Sequence, residues 1–187
     1  MTNIEEEAAM AAETLKSGKT LLYPTDTVWG LGCDATNAAA IERIFEIKNR
    51  PANKSLIVLV DSIEMLKEYV KDVPEAALKA IKEATRPTTI IYEESIGLAH
   101  NISADRSVGI RIVNDEFCRE MIQLFGKPIV STSANISGEP TPHTFKEISQ
   151  QVKESVDYVV GIRQDDEKPA ESSAIIKIKG DKIEIIR

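Results

Sequence analysis

The sequence has few of the residues that build disulfide frameworks and metal sites. It contains two cysteines, Cys33 and Cys118, and two histidines, His100 and His143, and none of them lies in a CxxC or a paired-histidine motif. This scarcity argues against a disulfide scaffold and a structural zinc site, and it fits a reducing cytoplasm. No apolar run approaches the roughly 20 residues of a transmembrane helix, and the acidic N-terminal segment is unlike a signal peptide. We therefore expect a cytoplasmic protein without membrane contact.

Aromatic residues and excess positive charge are also lacking. Aromatic residues make up 5% of the chain, and the net charge is −7. Proteins that bind nucleic acid without sequence preference are usually basic and use aromatic side chains for stacking, so this class is disfavoured. The sequence has no GxxxxGK[ST] motif and no GxGxxG motif after a strand. A Walker-type or Rossmann-type phosphate site is therefore not expected.

What the chain does have is an ordinary globular composition. Its 187 residues are 42% hydrophobic and 28% charged, which suits one domain with a sizeable core. Strand and helix patterns alternate, and a Gly180-Asp181 hairpin turn favours a mixed sheet over a purely parallel one. We predict one α/β domain over residues 1–187. The predicted helices lie at 3–18, 37–50, 62–70, 74–84, 114–126 and 144–152, and the predicted strands at 20–24, 55–60, 88–93, 108–113, 127–132, 156–160 and 173–187.

Lys48 is an unusual residue on the predicted helix at 37–50. Ile41 and Ile44 mark the buried stripe of this helix, and Lys48 lies on the same stripe. A lysine there either closes the helix end, where a cation is favoured, or points into a polar cavity. Both interpretations stay open on spacing alone. Arg50 follows, and two cations beside a polar loop would suit a phosphate or a carboxylate.

Two stretches have a polar character that goes beyond an ordinary turn. The first, YPTDTVWGLG at 23–32, places two hydroxyls around an aspartate and includes Trp29, the single tryptophan. The second, STSANISGEPTP at 131–142, is rich in serine and threonine and follows a predicted strand. Each is either a connection with ordinary turn chemistry or a loop that binds a ligand. Glycines in the first would let the backbone approach such a ligand closely.

Arg111 lies in the middle of the predicted strand at 108–113. Alternation places its side chain on the same face as Gly109 and Val113. An arginine in a strand is commonly an edge charge, but it equally suits a clamp for a carboxylate at a cleft. Without further information, the residues indicate an α/β protein with a polar, cationic cleft for a phosphorylated ligand.

Three motifs together resemble the YrdC-like family of threonylcarbamoyl-AMP synthases. They are YPTDTVWGL at 23–31, KNRP at 48–51 and SANISG at 133–138, and the likeness extends over residues 17–187. The family pattern has these motifs in the same order. The resemblance implies a twisted mixed sheet with flanking helices around a deep positive cleft.

The resemblance also implies a reaction and its participants. L-threonine, bicarbonate and ATP would give threonylcarbamoyl-AMP, pyrophosphate and water, for the N6-threonylcarbamoyladenosine modification of tRNA. Mg²⁺ would arrive with the ATP, with no tightly bound protein metal site, and a downstream threonylcarbamoyl transferase would be a partner. The implied residues are Lys48 and Arg50 for catalysis and for the ATP phosphates; Ser133, Asn135 and Arg187 for ATP; and Thr25, Arg111, Ser131 and Ser172 for threonine.

Some positions depart from the family pattern. The stretch RPTT at 86–89 stands where the family commonly has a tryptophan and a glycine, and Ser55 and Val113 replace usual prolines. None of these is an implied site residue. Three alternatives remain: a non-catalytic module that binds double-stranded RNA, with weak RNA binding as a lesser possibility; a degenerate relative that binds a nucleotide without turnover; and a carbamoyl-adenylate domain of hydrogenase maturation. The last would need large extra domains.

Overall fold

The computed structural model describes residues 3–51 and 54–187. This part of the chain contains six α-helices, nine strands and two short 3-10 turns, at His100–Ile102 and Phe145–Glu147. The helices are α1 (Ile4–Lys16), α2 (Ala38–Lys48), α3 (Ile63–Tyr69), α4 (Glu75–Glu83), α5 (Glu116–Phe125) and α6 (Gln150–Ser155). The strands are β1 (Leu21–Tyr23), β2 (Gly30–Gly32), β3 (Ile57–Val60), β4 (Thr88–Tyr92), β5 (Val108–Ile112), β6 (Ile129–Ser133), β7 (Tyr158–Val159), β8 (Ala174–Lys179) and β9 (Lys182–Ile185).

The helix starts follow N-cap chemistry, in which a side-chain oxygen accepts a free backbone N–H of the first turn. The predicted cap of α1 is confirmed, since Asn3 Oδ1 accepts from the Glu6 N–H at 2.8 Å. The predicted cap of α5 at Asn114 is wrong by one residue. The Asp115 carboxylate takes that role instead and accepts from the Cys118 N–H at 3.0 Å.

Two segments differ from the sequence prediction. Strand β2 was not expected, because two of its three residues are glycines, which have low strand propensity. It forms because β1 and β6 pair with it on both sides. The predicted helix at 144–152 is divided: the capping box at Thr144 starts only a 3-10 turn, and Ser149 then caps the separate helix α6.

All nine strands form one mixed, twisted sheet in the order β7-β1-β2-β6-β3-β5-β4-β8-β9. The β1–β7, β3–β5 and β4–β8 pairs are parallel and the other pairs are antiparallel. The predicted α/β architecture with a mixed sheet and flanking helices is therefore confirmed. The terminal β8–β9 hairpin is confirmed as well.

Helices cover the two faces of the sheet unequally. One face packs against α2, α3 and α4 through a large apolar cluster that includes Ile44, Leu66 and Ile110. The other face carries α1 and α5, which pack on each other and on Leu59 and Ile129. Because α1 and α5 cover only part of this second face, the rest of it is free to form the floor of a cavity.

Candidate functional site

The uncovered part of the second face is a cavity of about 440 Å³. Its floor follows the strand register, in which Gly109 lies opposite Ile57 on one side and Ile91 on the other, with Ser131 and Lys177 next in the same row. Alternation along each strand points these side chains to one face. The predicted deep positive cleft stays a prediction, but the cavity lies where a ligand would meet the motif residues.

Hydroxyl groups and cations dominate the polar lining. The hydroxyl-bearing residues are Thr27, Ser55, Thr89, Ser107, Ser131, Thr132, Ser133, Thr141, Ser172 and Ser173. The cations are Arg50, Arg111, Lys177 and Arg187. Among the described lining residues there is no aspartate or glutamate. Such a surface suits an anionic ligand, because positive charge attracts it and hydroxyls donate hydrogen bonds to its oxygens.

Lys48 lies directly behind the cavity wall rather than in it. The side chain is 1% exposed, and its Nζ donates to the Ser133 carbonyl at 2.5 Å and to the Asn135 carbonyl at 2.8 Å. The Ser137 N–H in turn donates to the Lys48 carbonyl at 2.8 Å. Lys48 therefore fastens the whole loop at 133–137 to the end of α2.

Burial also changes the proton affinity of Lys48. Desolvation, together with the nearby charge of Arg50, lowers the pKa of Lys48 from 10.5 to about 8. The groups that Nζ contacts are neutral carbonyls, and no carboxylate among the described residues pairs with the ammonium form. Lys48 thus brings a net positive charge to the cavity wall, and this charge titrates near pH 8.

Arg50 lies at the cavity, two residues beyond α2. The turn is made by Asn49, which takes a left-handed conformation with φ 49° and ends the helix. Arg50 Nη2 donates to the Ser55 carbonyl at 2.8 Å, and Arg50 Nε is buried without a partner among the described residues. The guanidinium therefore has one buried N–H group without an acceptor among the described residues.

Arg111 lines the cavity from β5 and is 3% exposed. Its guanidinium forms an ion pair with Asp26, and Nη2 donates to Thr27 Oγ1 at 3.1 Å. The second oxygen of Asp26 accepts the Asn114 N–H at 3.1 Å. Arg111 Nε is buried and has no partner among the described residues. The edge-charge interpretation is wrong, because β5 pairs on both sides and the side chain is buried.

The segment at 23–32 places Thr27, not Thr25, in the cavity lining. Thr25 is 2% exposed, and its hydroxyl donates to the Val28 carbonyl at 2.9 Å and accepts the Thr27 N–H at 2.9 Å. These bonds fold the segment back on itself. Trp29 lines the cavity too and contacts Phe145, with ring centroids 4.8 Å apart.

The carboxyl-terminal half of β6 contributes Ser131, Thr132 and Ser133 to the lining, and a loop follows it. Asn135 does not line the cavity. Its amide Nδ2 donates to the Glu139 carbonyl at 2.8 Å, so it stabilises the loop that Lys48 holds. The structure therefore brings Ser131 and Ser133, the two site serines predicted in the stretch at 131–142, to the cavity and places the predicted Asn135 behind them.

The end of the chain forms the opposite wall. Ser172, Ser173 and Arg187 all line the cavity. Ser173 Oγ lies 2.8 Å from Thr89 Oγ1, and Arg187 Nε donates to the Ser173 carbonyl at 3.1 Å. The predicted residues Ser172 and Arg187 thus meet the loop residues across one space, although they are distant in sequence.

Sequence reasoning missed several residues of this site. Lys177 follows Ile175 on the cavity face of β8, and strand alternation alone would have placed the two together. Asp26 was noted only as a neighbour of two threonines, and its ion pair with Arg111 depends on a contact between residues 85 positions apart. No local pattern in the sequence signals that contact.

A second cavity of about 580 Å³ lies between the end of α4 and the ends of β4 and β5. It is lined by apolar residues such as Ile90 and Ile112, with Arg86, Arg119 and Asp26 among its polar residues. None of the site residues predicted from sequence lines it. The smaller cavity is therefore the better candidate site, because the motif residues converge there.

The remaining features concern metals and membranes. Within the part of the chain that the structure describes, no cluster of three His, Cys, Asp or Glu residues could hold a metal ion. Across the same residues, no helix combines the length and apolarity that crossing a membrane requires.

Comparison with known proteins places these observations in a family. The Sua5/YciO/YrdC family model, described as "Telomere recombination", matches residues 13–187. A putative threonylcarbamoyl-AMP synthase of Methanocaldococcus jannaschii is 37% identical over 98% of this chain and 87% of its own length. A threonylcarbamoyl-AMP synthase of Klebsiella pneumoniae is 33% identical over 90% of this chain and 92% of its own length.

A solved structure agrees with the fold. The crystal structure of P. abyssi Sua5 complexed with L-threonine superposes with a TM-score of 0.86 at 28% identity. The match covers 98% of this chain and 54% of that protein. The shared part thus comprises nearly all of this chain's α/β fold.

Proposed function

Since the chain belongs to the Sua5/YciO/YrdC family, we propose that it is an L-threonylcarbamoyladenylate synthase acting as one domain over residues 1–187. The observation that carries the proposal is the convergence of the predicted site residues on one cavity, whose described lining residues include no carboxylate. These residues are Arg50, Arg111, Ser131, Ser133 and Arg187. The relatives named threonylcarbamoyl-AMP synthase, at 33% and 37% identity, support the same assignment.

The proposed reaction joins three substrates in two steps. The threonine amine attacks CO₂ or bicarbonate, and loss of a proton, or of water from bicarbonate, leaves an N-carboxylate. An oxygen of that carboxylate then attacks the α-phosphorus of ATP, and the bond to the β-phosphate breaks to release pyrophosphate. Phosphoryl chemistry of this kind needs positioning and charge stabilisation rather than a protein nucleophile. The enzyme is accordingly a nucleotidyltransferase.

ATP is assigned to the wall formed by the end of α2 and the end of β6. Arg50 and Ser133 would contact the phosphates, with Arg187 near the nucleotide on the opposite wall. Lys48 would supply charge from behind Ser133 and hold the loop, together with Asn135, in its binding shape. Oriented donors and cations of this type stabilise charge that develops during the transfer.

Threonine is assigned to the part of the cavity around Arg111. The guanidinium of Arg111 and the hydroxyls of Ser131 and Ser172 would donate hydrogen bonds to its carboxylate and polar groups. Thr25 would act through the fold of its segment, since its own hydroxyl is occupied by Thr27 and Val28.

Mg²⁺ would accompany ATP rather than reside in the protein. The lining hydroxyls and the absence of described lining carboxylates fit an ion held mainly by phosphate oxygens and water. The product would pass to a threonylcarbamoyl transferase for tRNA modification in the cytoplasm, and any RNA binding by this chain would be weak and secondary.

The experiment is pyrophosphate release from ATP, measured with threonine and bicarbonate each present or omitted. The proposal expects release only when both are present, with a ¹³C label from bicarbonate appearing in the adenylate product by mass spectrometry. ATP binding without release would favour a nucleotide-binding relative without turnover. Absence of ATP binding would contradict the proposed function and would favour the alternative of an RNA-binding module.

A further inference from the structure

Arg163, in the loop after β7, has a backbone conformation that needs an explanation. Its φ is 61°, in the left-handed region that residues with a Cβ seldom adopt. The other described non-glycine residue of this kind, Asn49, ends a helix, where asparagine is tolerated. Such a conformation persists only when surrounding contacts hold it, and it is a reason to look for a role.

Two contacts of the Arg163 guanidinium account for this backbone conformation. Nη1 pairs with Asp115 Oδ1 at 2.6 Å, and Nη2 donates to the Thr25 carbonyl at 2.7 Å. Asp115 is itself fixed, because its other oxygen caps α5. Arg163 therefore ties the backbone of Thr25 to a rigid helix end, and it reaches over 138 sequence positions to do so.

The backbone that Arg163 holds at Thr25 continues into residues that line the cavity or bind its arginine. Thr25 begins the segment whose next two residues, Asp26 and Thr27, both bind the guanidinium of Arg111. One arginine outside the cavity thus sets the position of the groups that orient a second arginine within it. Arg163 itself is not among the cavity-lining residues.

We infer that Arg163 is a positioning residue for the threonine part of the site, acting through the Thr25 carbonyl and the Asp26–Arg111 pair. The inference rests on the proposed function for its kinetic readout, but its structural readout is independent of turnover. Geometry makes the effect selective, because the ATP residues Arg50 and Ser133 lie on a wall that Arg163 does not contact.

The test uses Arg163→Gly and Arg163→Ala. Glycine adopts φ 61° without strain, so Arg163→Gly removes the clamp while sparing the backbone. We expect its KM for threonine to rise about tenfold and its KM for ATP to change by less than about twofold, with Tm within about 3 °C of the parent. Arg163→Ala loses the same clamp and keeps the strain, so it should show the same KM pattern and a lower Tm. Arg106→Ala, which removes a surface arginine paired with Glu94, is the matched control and should change neither KM.

A second readout follows the segment itself. Amide hydrogen exchange at residues 25–28 should accelerate in Arg163→Gly but not in Arg106→Ala. The fluorescence of Trp29, the single tryptophan, should also change, because this residue is buried at the end of the same segment.

The outcomes separate the two proposals. Unchanged threonine KM and unchanged exchange in Arg163→Gly would overturn the inference, as would equal changes in both KM values together with a large fall in Tm. If the parent protein releases no pyrophosphate, the proposed function fails. The exchange measurement then decides alone: faster exchange at 25–28 supports the positioning role, and unchanged exchange rejects it.

Discussion

The two buried cations of the site, Lys48 and Arg111, are stabilised in opposite ways. Both are almost fully buried, with 1% and 3% exposure. Lys48 is surrounded by the carbonyls of Ser133 and Asn135, whereas Arg111 is paired with the carboxylate of Asp26. Carbonyl dipoles solvate a cation without cancelling its charge, and a carboxylate neutralises it.

The difference suggests a division of the cavity. The wall at Lys48 and Arg50 has net positive charge, which suits the highly charged triphosphate. The part around Arg111 and Asp26 is close to neutral before a ligand binds, which suits an amino acid that carries one positive and one negative group. Burial without a carboxylate partner leaves the charge of Lys48 uncancelled, but it also makes the charged form costly. The pKa of Lys48 is lowered for this reason.

The largest expected effect comes from removing the uncompensated charge. Lys48→Met keeps most of the side-chain volume and should lower pyrophosphate release at saturating threonine about 10³-fold, as loss of a preorganised charged group does. Lys48→Arg keeps the charge in a larger side chain and should lose less activity.

The control for this variant is Lys146→Met, which removes an exposed lysine paired with Glu167 and should leave activity unchanged. Near-normal release by Lys48→Met, with the protein folded by circular dichroism, would show that the charge at this position has no part in the reaction.

A smaller effect is expected from breaking the compensated pair. Asp26→Asn leaves the buried Arg111 without its counter-charge and should cost about 3 kcal/mol of unfolding free energy, measured by urea denaturation. The exposed Asp166, 3.7 Å from Arg163, provides the matched variant Asp166→Asn, for which a change below about 0.5 kcal/mol is expected. Equal stability of the two variants would remove the distinction drawn between Lys48 and Arg111.

The smallest effect concerns pH. Below pH 8 Lys48 is charged, and above it the residue becomes neutral, so ATP affinity should fall as pH rises through about 8. The linked effect on folding has the opposite sign: between pH 8 and 10.5 the unfolded chain holds a proton that the folded chain has released, and stability from this group rises.

Arg50→Ala removes a charge that lowers the pKa of Lys48 and should move the midpoint of ATP binding upward by less than about one unit. A midpoint that stays in place or moves down would contradict the assignment to Lys48.

Local periodicity accounts for what could be predicted from sequence. The 3.6-residue repeat of α2 places Lys48 on the buried stripe, and alternation in β5 places Arg111 beside Gly109; both placements are confirmed. The partner of each charged group could not be predicted, because Ser133 lies 85 positions from Lys48 and Asp26 lies 85 positions from Arg111.

The parts that sequence reasoning missed share one physical cause. Strand β2 forms because its neighbours pair with it, not because of its own propensity. Thr27 lines the cavity in place of the predicted Thr25, because the hydroxyls of the short segment bond to each other and fold it back on itself. The Arg163 clamp likewise joins two loops that no local pattern connects. Tertiary contacts, not local preferences, decide these features.

The most direct measurement of the central claim, that the uncompensated charge of Lys48 serves ATP, is calorimetry of Mg-ATP binding at pH 8 in two buffers with different ionisation enthalpies. The pKa of Lys48 is lowered to about 8 in the free protein and a neighbouring polyanion raises it, so binding near this pH should be accompanied by proton uptake. The enthalpy should then differ between the buffers for the parent protein and agree between them for Lys48→Arg, whose charge does not titrate. Equal enthalpies in both buffers for the parent protein would contradict the claim that the charge of Lys48 serves ATP binding.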